Sequence, residues 1–516
     1  MTDRVARRFA VAAAAGLLGV SLVFRLLWLD RLPGINGDEA WYGVQSMRFV
    51  AGESWTARTP TGLATNPLLF LTESLLLCFF EPSFWVLRLP IAIWAGVGLV
   101  LTYVLHRWVF GDRVEAIVVV ALTACLPAHL AYSRFCWDAS FAFVSFPLVV
   151  YPLLKILSGI RDAKTLCLFA IGSLLAIWIH ITHSVLVFAG AFCVFWEFQA
   201  PAAAFMRRRP ITSAAAFIAL VVVIVRVVRE SHQAKILMES VASSLVRLPR
   251  HLAGLADVLM GNRVFEYLAG VPPPEWVPWA YPVFYLAAAT LLWFMARRGG
   301  IGDRRLAILS IATILLILLA GRALRLHRAS YERYILYLVP LAGLVLVRGI
   351  RAMSLRGGER AGRWARALAL GIALLLVVEF WSSYFLTLRD QSFASRLHRT
   401  FLSGAQEPKA ALAAAIRDRL VDGTPHVVIA EDWWVQHAVD FSLAGRCVVR
   451  SDAPTVSIPR DCFVVGFAGS HFLQEVRAAA DDRNELREEF HVGGSTGRPI
   501  LVLLVLGPPT EIDGSP

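Results

Sequence analysis

Charge is scarce in this chain of 516 residues: Asp, Glu, Lys and Arg make up 17% of it, against 57% hydrophobic residues. Soluble domains carry about 25% charged and about 45–50% apolar residues. A soluble globular protein is therefore excluded, and a polytopic membrane protein is indicated; the mean hydropathy of +0.61 agrees. No small-residue cleavage site precedes Arg25, so the first apolar segment, Phe9 to Leu29, reads as a retained span and not as a signal peptide. Internal repeats and low-complexity tracts are also missing. Lysine is nearly absent beside arginine, and the net charge is +12. In a soluble chain that charge would suggest nucleic acid as a partner. Here the basic residues cluster in short loops between apolar segments, where they act as topology signals. Five of the seven cysteines (Cys78, Cys125, Cys136, Cys167 and Cys193) lie in or beside apolar segments and need only pack. Cys447 and Cys462 lie in the polar C-terminal part, where a disulfide is open to them if that part is outside the cytoplasm.

What is present is a succession of apolar segments. By the criterion of roughly 20 residues per span there are about eleven: Phe9–Leu29, Val86–Leu105, Val114–Tyr132, Phe141–Leu154, Leu166–Ile181, Val185–Phe198, Ile211–Val228, Val277–Ala296, Leu306–Ala320, Tyr334–Val347 and Ala367–Tyr384. Pro67 to Phe80 is too short to span and is expected to lie in the interface or to re-enter it. With that choice every inner loop carries arginine or lysine, the N-terminus is cytoplasmic and the C-terminus is outside. The expected fold class is thus mainly α: a transmembrane bundle over residues 1–385 and an extracytoplasmic α/β domain over 386–516. In the latter a helix-like stretch, Lys409–Leu420, precedes the strand-like His426–Ala430. Cys462–Phe467 and Ile500–Leu506 read as further strands, with a charged helical stretch, Phe472–Phe490, between them. The long segment Arg229–Trp276 is an outer loop, in which His232 and His251 are expected to be solvated.

Ionisable groups at span ends are costly to place, at roughly 2.5–3.5 kcal/mol at a span centre, so their clustering on one face carries information. Asp38 and Glu39 follow the first span, in Asn36-Gly37-Asp38-Glu39-Ala40-Trp41-Tyr42. Asp138 lies in a short outer turn, and His180 and His183 end the fifth span. Arg25, Arg88, Arg226 and Arg229 approach the same face, and Arg322, Arg325, His327, Arg328 and Arg333 fill one outer loop. Carboxylates there could take a proton from an acceptor hydroxyl or amine, and arginines could hold a phosphate and stabilise it as it leaves. The plainer alternatives are that Asp38 caps a helix beginning near Ala40, that Arg25 and Arg88 snorkel, and that His180 and His183 pack in the bundle. Two histidines alone do not make a metal site.

The order of these features resembles the GT-C glycosyltransferases, the family of the protein O-mannosyltransferases and lipid A aminoarabinose transferases. The resemblance rests on Gly37-Asp38-Glu39-Ala40-Trp41-Tyr42, Asn66-Pro67-Leu68-Leu69, Arg88-Leu89-Pro90, Arg134 with Asp138, and Arg333-Tyr334 followed by Pro340, and covers roughly residues 1 to 385. It implies transfer of a sugar, with inversion, from a polyprenyl-phosphate carrier to a cell-envelope glycan, lipid or protein on the periplasmic face of the bacterial inner membrane. Asp38 is then the general base, with Glu39 and Asp138 positioning the acceptor. Arg88, Arg333, Tyr334, Arg25 and Arg328 are expected at the donor phosphate, and Trp41, Tyr42, Asn66, His180 and His183 along the substrate. No nucleic-acid partner and no assigned metal ligand follow. Asn66 stands where the family often has histidine or lysine, which leaves a divalent metal open as cofactor. Two other activities compete: an O-antigen polymerase or ligase, working through arginine and histidine loops, and a lipid-linked sugar flippase. The latter class often shows repeated halves and broken midplane helices.

Overall fold

The computed structural model describes the chain outside residues 1–2, 55, 57, 61–63, 161, 209–245, 322–323, 325, 327–331, 355–357, 391–406, 421–425, 452–457, 460, 494–498 and 508–516. The span expected over Ile211–Val228, with Arg226, Arg229 and His232, lies outside the described residues, as do Arg322, Arg325, His327 and Arg328.

Apolar sequence becomes helix wherever the expected spans can be followed. The helices are α1 (Asp3–Leu26), α2 (Gly37–Val50), α3 (Pro67–Leu77), α4 (Phe84–Phe110), α5 (Arg113–Cys125), α6 (Pro127–Tyr132), α7 (Ala142–Leu157), α8 (Ala163–Ile179) and α9 (Ser184–Arg208). They are followed by α10 (Leu248–Met260), α11 (Val277–Arg298), α12 (Ile301–Leu319), α13 (Leu338–Ser354) and α14 (Gly358–Phe380). The protein is a multi-pass membrane protein: among the described residues five helices, α1, α4, α7 (from Asp138), α11 and α14 (with the turns that follow it), meet the length and hydropathy of a span on their own. The others are shorter for local reasons. The stretch Val114–Tyr132 is not one helix, because Leu126 is extended (ψ 131°) and Pro127 starts a new helix at its first turn. α3 has only 11 residues, about 16 Å of rise, and packs against α2 and α4. The segment expected as a solvated loop contains α10, whose His251 is fully buried; a Cβ on Gly321 would stand 2.5 Å from its ring.

One end of the bundle is tied by charge. Arg348 of α13 donates to Asp303 of α12 at 2.6 Å and to Glu115 of α5, and His106 of α4 meets Glu115 at 3.1 Å. All four side chains are nearly excluded from solvent, so four helices share one paired cluster.

The other end carries a sheet in the order β2-β1-β3-β5-β4, built from β1 (Val427–Ala430), β2 (Val448–Arg450), β3 (Cys462–Phe467), β4 (Leu486–Gly493) and β5 (Pro499–Leu506), with α15 (Pro408–Arg417), α16 (Trp433–Leu443) and α17 (His471–Asp482). β2, β1 and β3 run parallel, and β5 and β4 add antiparallel. The stretch expected to be helical through Phe490 therefore ends at Asp482. Its second half, Leu486–Phe490, becomes part of edge strand β4, on which Arg487 and Glu488 face solvent.

Because β1 lies between β2 and β3, Cys447 and Cys462 sit two strand spacings apart, about 9.6 Å. A disulfide needs Cα atoms within about 7 Å. The disulfide left open by the sequence is thus excluded by topology, and both thiols are free. Alkylation of the denatured protein without reductant is expected to label both cysteines, and a recovered Cys447–Cys462 cross-linked peptide would contradict this strand order.

α2 joins the two parts. Gly37 lies against the backbone of Trp434 and Gly43 against the ring of Phe441, at 2.8 and 2.6 Å from where a Cβ would stand. Phe441 also stacks on Phe84, at 6.0 Å. Buried Glu407 accepts the N–H of Ile35 at 3.1 Å and pairs with Lys409 at 2.9 Å.

Candidate active site

The irregular stretch between α1 and α2 exposes carbonyls that have no helical partner, and buried carbonyls must find donors. Two buried arginines, Arg88 and Arg134, supply them, and a third, Arg25, is buried beside them. Arg88 makes five hydrogen bonds, two to Glu39 (2.8 Å each) and three to the carbonyls of Leu29 (3.1 Å), Pro33 (2.8 Å) and Gly34 (3.2 Å). Arg134 donates to the carbonyls of Phe24, Leu27 and Leu32. Arg25 donates to the carbonyls of Ser21 and Ala124 and meets His129. All three are among the most completely buried side chains. Arg25 and Arg88, expected at the donor phosphate, instead face inward: Arg88 gives its donors to Glu39 and the carbonyls of this connection, and Arg25 to carbonyls of α1 and α5 and to His129.

Glu39 is likewise internal. Its carboxylate takes the bidentate Arg88, the N–H of Cys136 (3.0 Å) and the N–H of Asn36 (3.0 Å). The last bond completes a capping box in which Asn36 accepts from the N–H of Asp38 at 2.7 Å. The helix begins at Gly37 and Asn36 is its cap, so the alternative of Asp38 as cap is replaced, and the Asp38 side chain is left for other work. Glu39 also fixes the turn that carries Asp138, through Cys136, whose thiol meets buried Glu73 at 3.7 Å.

Asp38 projects into a cavity of about 80 Å³ lined by Trp41, Tyr42, Trp137, Asp138, His180, Arg333 and Tyr334, with Thr59 and Pro60 at its edge. Its carboxylate is 28% exposed and lies 3.3 Å from the Arg333 guanidinium. Burial raises its pKa above the ordinary carboxylate value; Arg333 pulls it down, and Asp138 pushes it up again. Arg333 lies over the ring of Trp137 at 4.6 Å. Tyr334 stacks on His180, at 5.4 Å between ring centroids. The N–H of Thr182 donates to Nδ1 of His180, which leaves Nε2 facing Asp138 at 3.9 Å. Asp138 holds its orientation by accepting the N–H of Ala139.

The structure thus gathers Asp38, Asp138, Trp41, Tyr42, His180, Arg333 and Tyr334 in one cavity and leaves Glu39, Arg25, Arg88, Asn66 and His183 outside its lining, while Arg328 lies outside the described residues. Asn66 caps α3 by accepting from Leu68 and Leu69, and His183 is buried against Ser145. Trp137 is a wall that the sequence reading passed over, although it adjoins Asp138. Among the described residues no group of three or more His, Cys, Asp and Glu side chains converges as a metal site would require. Ligand sites commonly measure about 300–1,000 Å³, so this cavity fits reacting groups, with most of any large substrate outside it. Chemically it offers a carboxylate for a proton and an arginine for an anion.

The chain matches no protein-family model and no curated protein sequence. Solved structures do match it. ArnT from Cupriavidus metallidurans bound to undecaprenyl phosphate superimposes with a TM-score of 0.50 at 14% identity, over 95% of this chain and 97% of that one. Its apo state gives 0.48 at 13%, with the same coverage. The oligosaccharyltransferase AglB from Archaeoglobus fulgidus, in complex with an inhibitory peptide and a dolichol-phosphate, gives 0.47 at 14%, over 97% of this chain and 74% of that one. The likeness to the undecaprenyl phosphate complex shows a shared fold: this chain has the GT-C architecture that its sequence resembles.

Proposed function

We propose that this protein of GT-C fold is a membrane glycosyltransferase that moves a sugar from a polyprenyl-phosphate carrier to a cell-envelope glycan, lipid or protein. The observation that carries the reading is the pairing of Asp38 with Arg333 in one cavity, with Asp38 released from helix capping by Asn36 and Glu39. The acceptor hydroxyl or amine gives its proton to Asp38 as its oxygen or nitrogen attacks the anomeric carbon. The bond from that carbon to the phosphate oxygen breaks on the opposite face, and Arg333 takes the charge gathering on the departing polyprenyl phosphate. Inversion follows from this single displacement. Asp138 and His180 border the acceptor side, Tyr334 and Trp137 the donor side, and Trp41 and Tyr42 the sugar. The helix ends away from the sheet carry Arg107, Lys155, Arg298, Arg351 and Arg366, and the positive-inside bias supports a cytoplasmic location for that end. The cavity and the C-terminal α/β part then lie on the periplasmic face of the inner membrane, over residues 386–516 for the latter.

The test uses the purified full chain in lipid nanodiscs with a panel of labelled polyprenyl-phosphate hexoses and pentoses and an envelope extract. Label in an acceptor together with an equal amount of free polyprenyl phosphate is the expected result. Movement of intact lipid-linked sugar across the bilayer with no polyprenyl phosphate released would instead make the protein a flippase.

A further inference from the structure

Arg333 belongs to a 3-10 turn of four residues, Glu332–Ile335, that leads into α13. Side chains in such a turn point about 120° apart, so the rotation of the turn decides what its arginine reaches. Ile335 is fully buried and Glu332 is 3% exposed, whereas the Arg333 side chain keeps 23% of its surface open on the cavity. Neighbouring residues of opposite charge therefore face opposite ways, one into the protein and one into the site. Glu332 accepts the hydroxyl hydrogen of Tyr132, which is fully buried at the end of α6, the helix that exists because Pro127 breaks the preceding span. The Tyr132 ring packs on Phe135 and Trp137, each at 5.8 Å, and those two stack at 5.0 Å. Trp137 in turn lies under Arg333. The contacts close a circuit: Tyr132 to Glu332, along the backbone to Arg333, across to Trp137, and back to Tyr132.

From this circuit we infer that Tyr132 and Glu332 are a positioning pair that sets where the Arg333 guanidinium stands and so tunes recognition of the donor's phosphate. Neither side chain reaches the cavity; both act through Arg333. The inference rests on the reading of Arg333 as the phosphate contact, and it deepens that reading by naming what holds the contact in place. Trp137 supplies the platform and Asp38 accepts from the guanidinium at 3.3 Å, but both act on the tip of the side chain and leave the turn beneath it to be anchored. The Tyr132 hydroxyl fixes the turn at its other side, and a hydrogen bond to a carboxylate is among the stronger ones.

Binding of polyprenyl phosphate alone to the full chain in nanodiscs tests this without requiring catalysis. Tyr132→Phe keeps the ring and its packing and removes only the donor, so affinity is expected to fall about tenfold, with the thermal unfolding temperature checked in parallel. Glu332→Gln still offers an oxygen to the Tyr132 hydroxyl but gives up the charge assistance, so it is expected to lose affinity by less than Tyr132→Phe does. In an Arg333→Ala background, itself weakened, Tyr132→Phe should add nothing. Wild-type affinity in Tyr132→Phe beside a weakened Arg333→Ala would overturn the pair and leave the phosphate reading standing. A further loss from Tyr132→Phe in the Arg333→Ala background would overturn it too, because the hydroxyl would then act by another route. Unchanged binding in Arg333→Ala would overturn the phosphate reading and the pair with it.

Discussion

Replacing Asp38 with asparagine is expected to lower sugar transfer by about 10²–10⁴-fold, the usual worth of a positioned general base, with the fold unchanged. The substitution keeps the side-chain volume, and the helix beside it does not depend on Asp38, since Asn36 and Glu39 make the capping box. Its contact with Arg333 is partly exposed, so losing it costs little stability. The same residue predicts a pH profile. A base works when deprotonated, and burial raises the Asp38 pKa; kcat/KM should therefore fall as pH drops through a value above the ordinary 3.8. Arg333 opposes that rise, so Arg333→Ala should move the acid limb to higher pH. Transfer by Asp38→Asn at the wild-type rate, or an acid limb that Arg333→Ala leaves in place, would remove Asp38 from the role of base.

Arg88→Ala is expected to act on stability. Glu39 and Arg88 are both 0% exposed, and removing one partner of a buried pair costs about 3–5 kcal/mol because the other is left without its counter-ion. The carbonyls of Leu29, Pro33 and Gly34 lose their donor as well. Arg88→Lys should rescue little, since an ammonium has three donors and no planar fork to match the carboxylate. Unfolding midpoints in detergent and the yield of monodisperse protein measure this. A stable Arg88→Ala protein with weakened donor binding would return Arg88 to the phosphate site.

These two residues show how far the sequence could be read. Helices were legible from hydropathy because a membrane demands about 20 apolar residues for a span, and ten of the eleven expected segments fall on described helices. Where the reading slipped, a local backbone feature decided the matter: Pro127 divided one span, and a turn after Asp482 converted a charged helix into strand β4. At the site, the sequence showed which face held the charges but not which way each side chain pointed. Arg88 and Arg333 look alike in sequence, both near span ends. What separates them is the set of unpaired carbonyls around residues 29–34, a property of the folded connection. Glu39 was separable in principle, since Asn36-x-x-Glu39 is a capping-box spacing, and that signal would have moved Glu39 out of the catalytic set.

The bond between Ile35 and Glu407 joins residues 372 positions apart. On a ribosome adding about 5–20 residues per second, the chain next to Asp38 waits about 20–75 s for that partner to be made. Spans can enter the membrane one after another during that interval, but the connection before Asp38 is completed only once Glu407 has been made. A nascent or truncated bundle that stops short of Glu407 therefore holds the candidate site without this brace on the connection that leads into α2, and completion of that connection is tied to synthesis of the C-terminal part.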